Sequence, residues 1–246
     1  MLAPSIAILS IIIVVPLLYL FYNSLFDYQL FKPYARSFIG MRNFIRAFTE
    51  DDRFMNSVKV TLYLIAMAVA LQTLVALLLA EVLQSVRKLK ETLRTVLIIP
   101  MVIPPFVAGI VWRMMLHPNA GLINYFLSFL GIDHPWLADP KTALFAIVVI
   151  DTWQWTPFLL LIFLAGYAAI PAGLYEAAEV DGAGRWGKFM HITLPLLLKV
   201  ILVGIIFRTV GILQTFSTLF VTTEGGPGYA TEILNYYSYV TAFNPQ

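Results

Sequence analysis

The sequence predicts an all-α, polytopic membrane helix bundle. Of its 246 residues, 60% are hydrophobic and 12% are charged, whereas soluble domains contain roughly 45–50% apolar and about 25% charged residues. A hydrocarbon core of about 30 Å is spanned by about 20 apolar helical residues, and the chain contains several runs of this length. These runs lack the alternation of outer-membrane barrel strands, which favours helices.

We predict one transmembrane domain over residues 1–246. The first run has the length of a span but could be mistaken for a secretory signal; it contains Pro4 and Pro16 and no basic segment precedes it, so we expect a retained span. An amphipathic helix is predicted over 37–56, because its apolar residues lie on a different face from its charged residues. The apolar face is Phe38, Met41, Phe44, Ile45 and Phe48, and the charged residues are Arg42, Arg46 and Glu50. The predicted spans are about 4–22, 57–84, 95–115, 143–169 and 196–221.

Orientation follows from the basic residues in short loops. Arg87, Lys88, Lys90 and Arg94 lie close together between the second and third spans, and the segment 222–246 contains no Lys or Arg. The rule weakens for the long, mixed-charge segment 24–56, so the loop 85–95 is weighted more. This predicts that loops 85–95 and 170–195 are cytoplasmic and that 222–246 is periplasmic.

Several functional classes are disfavoured. The net charge of +2 is too small to indicate nucleic acid. A membrane enzyme would need a residue cluster, but His117, His134 and His191 lie far apart. Residues 182–188 fit G-x-x-x-x-G-K, yet no strand precedes them and Phe189 stands where a phosphate loop needs Ser or Thr. We therefore predict no catalytic, cofactor-binding or metal-binding residue in this chain.

The predicted cytoplasmic loop 170–195 has the features of a docking element. Residues 174–180 predict a short helix that Asp181–Gly184 ends. Ala177 and Ala178 have small side chains, so a partner's backbone can approach this helix closely, and Glu176 offers a charge to that partner. Ile192 and Leu194 are expected to pack back on the bundle, with Pro195 opening the next helix, where its missing N–H costs nothing. The alternative is an ordinary solvated hairpin.

The spacing of these residues matches a known pattern. Glu176-Ala177-Ala178, then Gly182, then Ile192-x-Leu194-Pro195 resemble the EAA motif of permease subunits of bacterial binding-protein-dependent ABC importers. The sequences Ile170-Pro171 and Gly225-Gly226-Pro227 are similar to the carbohydrate-importer branch, the maltose-type permeases. The likeness covers nearly the whole chain.

This resemblance implies a type I ABC importer permease core with six spans, the sixth expected beyond residue 246. It implies a bacterial cytoplasmic membrane location and transport of a sugar or polyol. The implied partners are a second permease, two copies of a cytoplasmic ATPase that binds the ATP and Mg²⁺, and an extracytoplasmic solute-binding protein that faces segments 37–56 and 222–232. Docking on the ATPase is implied for Glu176, Ala177, Ala178 and Gly182, and Ile192, Leu194 and Pro195 complete the motif.

A solute path is expected around two ionisable residues inside spans, Asp151 and Arg208, because such groups are costly in a membrane. At about 1.5 Å per residue they lie roughly 27 and 18 Å from the predicted cytoplasmic ends, a gap that an Arg side chain largely closes. A structural ion pair and a solute contact both remain open. Matched to maltose-type permeases, solute contacts fall on Gln154, Trp155, Phe158, Arg208, Gly211, Ile212 and Thr215.

The types of these residues argue against maltose bound in the same pose. Trp155 is bulkier than its counterpart, Ile212 is apolar and Arg208 is charged. A smaller sugar, a polyol or an anionic solute all fit this set. The alternative function is a secondary transporter or channel for a small polar solute, which would need an ion-coupling site and inverted repeats, and neither is evident in the sequence.

Overall fold

A computed structural model describes residues 3–29, 32–86 and 89–243. Two of the basic residues used for orientation, Arg87 and Lys88, lie outside these ranges, as do residues 244–246 of the predicted periplasmic segment. The chain forms two compact units, one of residues 1–56 with 238–246 and one of residues 57–237.

The first unit contains helix α1, a hairpin and a short helix. Their bounds are α1 Ala3–Ser24, β1 Phe26–Gln29, β2 Lys32–Phe38 and α2 Arg42–Thr49. The apolar stretch of α1 is unburied within the chain, as expected of a helix whose whole circumference meets lipid or other subunits. The strands are antiparallel, with Phe26 opposite Phe38.

The predicted helix over 37–56 is therefore wrong in its extent. Phe38 ends β2, and Gly40 follows with φ +59°, a value that favours glycine and separates strand from helix. After α2, the Asp51 carboxylate accepts a hydrogen bond from the Phe54 N–H at 2.8 Å and caps the start of the next helix. Local capping thus divides the segment into a strand and two helices.

The described residues of the second unit form helices joined by turns and loops. Its helices, of which α3 and α12 extend past the unit's ends, are α3 Asp52–Ser85, α4 Lys90–Val102, α5 Pro105–Met115, α6 Leu122–Ser128, α7 Ala143–Ala168, α8 Ala172–Val180, α9 Arg185–Lys188, α10 Leu194–Leu213, α11 Ser217–Thr222 and α12 Leu234–Phe243. Four helices of the described chain are long and apolar enough to cross a membrane, Pro4–Ser24, Asp52–Ser85, Ala143–Ala168 and Arg185–Leu213, and α4 with α5 gives a fifth if counted as one span.

The third predicted span, 95–115, is not one straight helix. Helices α4 and α5 meet at 95°. Ile103 and Pro104 between them have extended backbones, with ψ 129° and 136°, because a residue before proline is pushed away from helical geometry and proline has no N–H to donate. The consecutive Pro104 and Pro105 therefore break the span.

The fifth predicted span, 196–221, is shifted. Pro195 stands in the first turn of α10, as predicted, but helical structure already runs into α10 from Arg185 through a π-helical turn at Phe189–Thr193, and it continues to Leu213. In that turn the Leu194 N–H reaches back to the Phe189 carbonyl. The wider turn adjoins the position where Pro195 supplies no hydrogen bond.

At its other end, the helix stops at Leu213 and the chain resumes as α11. The Asn235 amide donates to the Leu213 carbonyl at 2.7 Å and to the Thr215 carbonyl at 3.3 Å. Backbone acceptors freed inside a membrane need such partners. A side chain from α12 therefore stabilises the break.

Helices α3, α7 and α10 enclose the core of the second unit. Gly166 on α7 and Gly204 on α10 allow close approach, because an added Cβ would lie 2.6 Å from Leu197 and 2.8 Å from Leu159 respectively. Two apolar clusters share these helices, one around Phe163 and Leu197, the other around Leu64 and Ile147. A polar layer lies between the two clusters.

Candidate functional site

The polar layer consists of Gln72 on α3, Asp151 on α7 and Arg208 on α10. Arg208 Nη2 donates to Asp151 Oδ2 at 2.7 Å, and Arg208 Nε donates to Gln72 Oε1 at 2.6 Å. Gln72 Nε2 closes the ring on Asp151 Oδ2 at 2.6 Å. All three are buried, with 0–5% exposure. The two ionisable residues singled out in the sequence are thus joined in a buried ion pair, with one added amide.

A cavity of about 300 Å³ lies on one side of this ring. The Arg208 guanidinium forms part of its wall, with its Cζ 5.1 Å from the centre of the Trp155 ring. Gly211 leaves room for this arrangement, because an added Cβ would lie 2.9 Å from Arg208 Nη1. The cavity offers an aromatic face beside a set of hydrogen-bonding groups.

Five of the eight predicted path residues line this cavity: Trp155, Phe158, Arg208, Gly211 and Thr215. Asp151 lies behind Arg208. The other two lie elsewhere. Gln154 is buried and its Nε2 donates to the Ile103 carbonyl at 2.8 Å, which satisfies the backbone at the bend between α4 and α5. Ile212 is buried in the apolar cluster around Leu64.

Sequence reasoning missed Gln72. The signal that could have found it is an amide in the middle of the long apolar run 57–84, because a polar side chain in a membrane span usually faces a partner inside the bundle. It also missed Pro105, Phe207, Phe216 and Thr218, which line the cavity together with Gln214 and Ser217. Pro105 and Thr218 come together because the bend after α4 brings the start of α5 to α11, where Thr218 Oγ1 donates to the Pro105 carbonyl at 3.3 Å.

The predicted docking loop contains α8, which begins two residues earlier than expected. Its end is a Schellman motif: the Gly182 N–H bonds the Glu179 carbonyl and the Ala183 N–H bonds the Ala178 carbonyl at 2.8 Å. Gly182 has φ +75°, the left-handed conformation this motif requires. Gly182 thus follows the Glu-Ala-Ala triplet at the distance at which this C-terminal motif ends the helix.

Two side-chain contacts hold α8 against the following helix. Tyr175 and Thr193 share a hydrogen bond of 2.9 Å, and Thr193 is buried in the π-helical turn. Lys188 Nζ contacts Glu179 Oε1 at 2.6 Å. This hydrogen bond and the positive charge of Lys188 lower the pKa of the Glu179 carboxyl from its ordinary value. A short, otherwise exposed helix is thereby tied to α10.

Most of the rest of α8 is exposed. Glu176 and Ala177 face outward, and Ala178 is half-buried. Val180 is 89% exposed and Trp186 on α9 is 73% exposed, so the loop presents apolar as well as charged side chains on its surface. Ile192 and Leu194 are half-buried, and Leu194 packs on the apolar cluster around Phe163 while Pro195 is exposed. An exposed patch of apolar and charged groups is typical of a protein-binding surface.

Comparison with known proteins identifies the family. Residues 72–242, over two thirds of the chain, match the family described as binding-protein-dependent transport system inner membrane component. The chain belongs to this family. It is therefore a multi-pass permease subunit of the cell membrane, and the secondary transporter or channel considered above is disfavoured.

Relatives of this permease match it over most of their length. The trehalose/maltose transport system permease protein MalF of Thermococcus litoralis is 38% identical, covering 97% of this chain and 82% of MalF. The sulfoquinovosyl glycerol transport system permease protein SmoG of Agrobacterium fabrum is 37% identical, covering 96% and 77%. The sn-glycerol-3-phosphate permease UgpA of the same organism is 35% identical, covering 85% and 71%.

A solved structure shares the fold of the permease. It is a chain of a bacterial alginate ABC transporter in complex with an alginate pentasaccharide-bound periplasmic protein, with a TM-score of 0.81 at 26% identity. The match covers 98% of the permease and 81% of that chain. The helical importer fold predicted from the sequence is confirmed, and the β1–β2 hairpin is a feature that the all-α prediction did not include.

Proposed function

We propose that this permease imports a sugar or a related polyol in an ATP-driven ABC transporter. In this proposal it pairs with a second permease, two copies of a cytoplasmic ATPase power the cycle, and an extracytoplasmic binding protein delivers the solute. The observation that carries the proposal is the combination of an exposed helix ending in Gly182 with a polar cavity on the helix that follows. The named cargoes of the relatives, trehalose, maltose, sulfoquinovosyl glycerol and sn-glycerol 3-phosphate, support a carbohydrate-like solute.

Helix α8 is proposed to dock on the ATPase. Its exposed Glu176 and Ala177 support this, since small residues let a partner backbone approach and a carboxylate can pair with a partner's Arg or Lys. Val180 on the same helix and Trp186 on α9 add exposed apolar surface to the loop. ATP and Mg²⁺ would be bound by that partner, so the permease itself performs no phosphoryl chemistry.

The cavity beside Arg208 is proposed to hold the solute during passage. Sugars are bound through hydrogen bonds to their hydroxyls and through an apolar ring face, and the cavity presents Trp155 together with Gln214, Thr215 and Ser217. Its volume of about 300 Å³ is at the small end of the range for small-molecule sites. A single sugar unit or a small polyol fits this size.

The partner assignment is tested by isolating the permease from detergent-solubilised native membranes and identifying the co-purifying proteins by mass spectrometry. We expect an ATPase, a second permease and a solute-binding protein. Recovery of the chain alone, or only with copies of itself, would contradict the importer.

The docking assignment is tested by Glu176→Lys. We expect solute uptake to be abolished while the permease stays in the membrane, because the substitution places a positive charge where a cationic partner group is expected. Glu91→Lys is the matched control, since Glu91 is also exposed on the predicted cytoplasmic side but lies outside the loop. Normal uptake by Glu176→Lys would disprove the docking role.

A further inference from the structure

The charge of the cavity wall depends on two residues behind it. Arg208 is the only charged residue among the described residues that line the cavity. A free guanidinium there would favour a carboxylate or a phosphate, which it binds bidentately. The relatives carry named cargoes of both kinds, neutral trehalose or maltose and anionic sn-glycerol 3-phosphate. Family membership therefore leaves the charge of the solute open.

In this permease the guanidinium is already engaged. Nη2 is bound to Asp151 at 2.7 Å and Nε to Gln72 at 2.6 Å. These two bonds use the Nε–Nη2 edge of the guanidinium, which is one of its two edges that can hold a carboxylate bidentately. On the other edge, Nη1 beside Gly211 and the second N–H of Nη2 have no hydrogen-bond partner among the described residues, and they are the donors left for a ligand.

Free N–H donors on a charge-balanced group suit the hydroxyls of a neutral solute. Asp151 and Arg208 together contribute no net charge, and both are 5% exposed or less. Charges in such a buried site are weakly screened, so the Asp151 carboxylate repels an approaching anion and cancels most of the attraction that Arg208 would exert on it. Gln72 fixes the arrangement because it bonds both partners at 2.6 Å.

We propose that Asp151 and Gln72 determine the charge of the transported solute, since by engaging Arg208 they make the cavity select neutral, hydroxyl-rich rings over sugar acids and sugar phosphates. Both are positioning residues that act through Arg208. This inference rests on the proposed function, in which the cavity beside Trp155 holds the solute.

The test uses the assembled transporter purified in detergent and two probes that share one ring, glucose and glucuronate. Their dissociation constants are measured by ligand-observed NMR and expressed as a ratio. The unmodified transporter is expected to bind glucose at least as tightly as glucuronate. Asp151→Asn keeps the shape of the side chain but releases the charge of Arg208, so the ratio should move toward glucuronate by about tenfold or more.

A second variant restores the negative charge from another helix. In Gln72→Glu with Asp151→Asn, the new carboxylate stands where Gln72 already contacts Arg208, and the ratio should return to that of the unmodified transporter. This double variant also serves if Asp151→Asn alone fails to assemble, because it keeps the buried pair balanced. Glu91→Gln removes a carboxylate from an exposed site and is the control for general charge effects.

The possible outcomes distinguish a failure of the charge-selection inference from a failure of the proposed solute site. If both sugars bind but Asp151→Asn leaves the ratio within about twofold, or if the unmodified transporter prefers glucuronate, the charge-selection inference is overturned and the solute cavity stands. If the unmodified transporter binds neither sugar, the cavity is not the solute site and both proposals fail.

Discussion

Replacing Arg208 with Met removes one half of a buried ion pair. The Asp151 carboxylate then keeps only the Gln72 amide as a partner, because both of its contacts with the described residues, at 2.6 and 2.7 Å, are to Gln72 and Arg208. Leaving a buried charge unpaired typically costs about 3–5 kcal/mol. Since each 1.4 kcal/mol is about tenfold, the folded-to-unfolded ratio should fall by more than a hundredfold.

Removing both charges should cost less than removing one. In Arg208→Met with Asp151→Leu no buried charge remains, and the principal loss is the unsatisfied amide of Gln72, about 1–3 kcal/mol. The double variant is therefore expected to be more stable than Arg208→Met alone. If the two residues contributed to stability independently, the double variant would instead be the less stable of the two.

The free energy of unfolding can be measured for the detergent-purified permease by graded denaturation followed by tryptophan fluorescence. Arg94→Met is the control, because Arg94 is exposed and surface substitutions usually change stability by no more than about 0.5 kcal/mol. The reasoning is refuted if Arg208→Met costs less than about 1 kcal/mol, or if the double variant is the less stable of the two.

Two further predictions concern the bend and the α8 contact. Gln154→Leu should lower the free energy of unfolding by only about 1 kcal/mol, because the Ile103 carbonyl loses its donor while the buried and unpartnered Gln154 Oε1 is removed. The ratio of the glucose and glucuronate dissociation constants should stay unchanged, and a changed ratio would place Gln154 in the solute path. The folded-state pKa of Glu179 is below its ordinary 4.5, so its contact with Lys188 should persist at neutral pH and be lost only as the pH falls below 4.5 through the lowered pKa. NMR titration of the Glu179 carboxyl checks this. A titration midpoint that is not lowered, and that Lys188→Met does not change, would contradict it.

The sequence predicted well what depends on composition and local spacing. Spans follow from apolar length, the end of α8 follows from Gly182, and the meeting of Asp151 with Arg208 follows from their depths. Gln72 was missed because it lies 79 residues from Asp151 and 136 from Arg208, and no local pattern reports such a contact. Its neighbourhood is set by the close packing of α3, α7 and α10.

The bend after α4 was missed for a different reason. Pro100, Pro104 and Pro105 stand in the sequence, but their run is apolar enough to read as one span. Proline is tolerated in membrane helices when other groups satisfy the freed backbone. Here Gln154 supplies that group for Ile103, and it lies 51 residues away. The bend therefore depends on a tertiary contact as well as on the prolines.

Under the proposed function, a movement of α8 has to reach the cavity, and one continuous helix offers the route. Tyr175 joins α8 to Thr193, and the helix from Arg185 to Leu213 carries Arg208 and Gly211 further along the same rod. Thr193 and Arg208 are 15 positions apart, about 22 Å at 1.5 Å per residue. A rigid helix tilted at one end displaces its other end, so docking at α8 would move Arg208 relative to α3 and α7. Because Gln72 and Asp151 are hydrogen-bonded to Arg208, that movement would either strain these bonds or carry both residues along. The same three residues would then determine the charge of the solute and also connect the docking surface to the cavity.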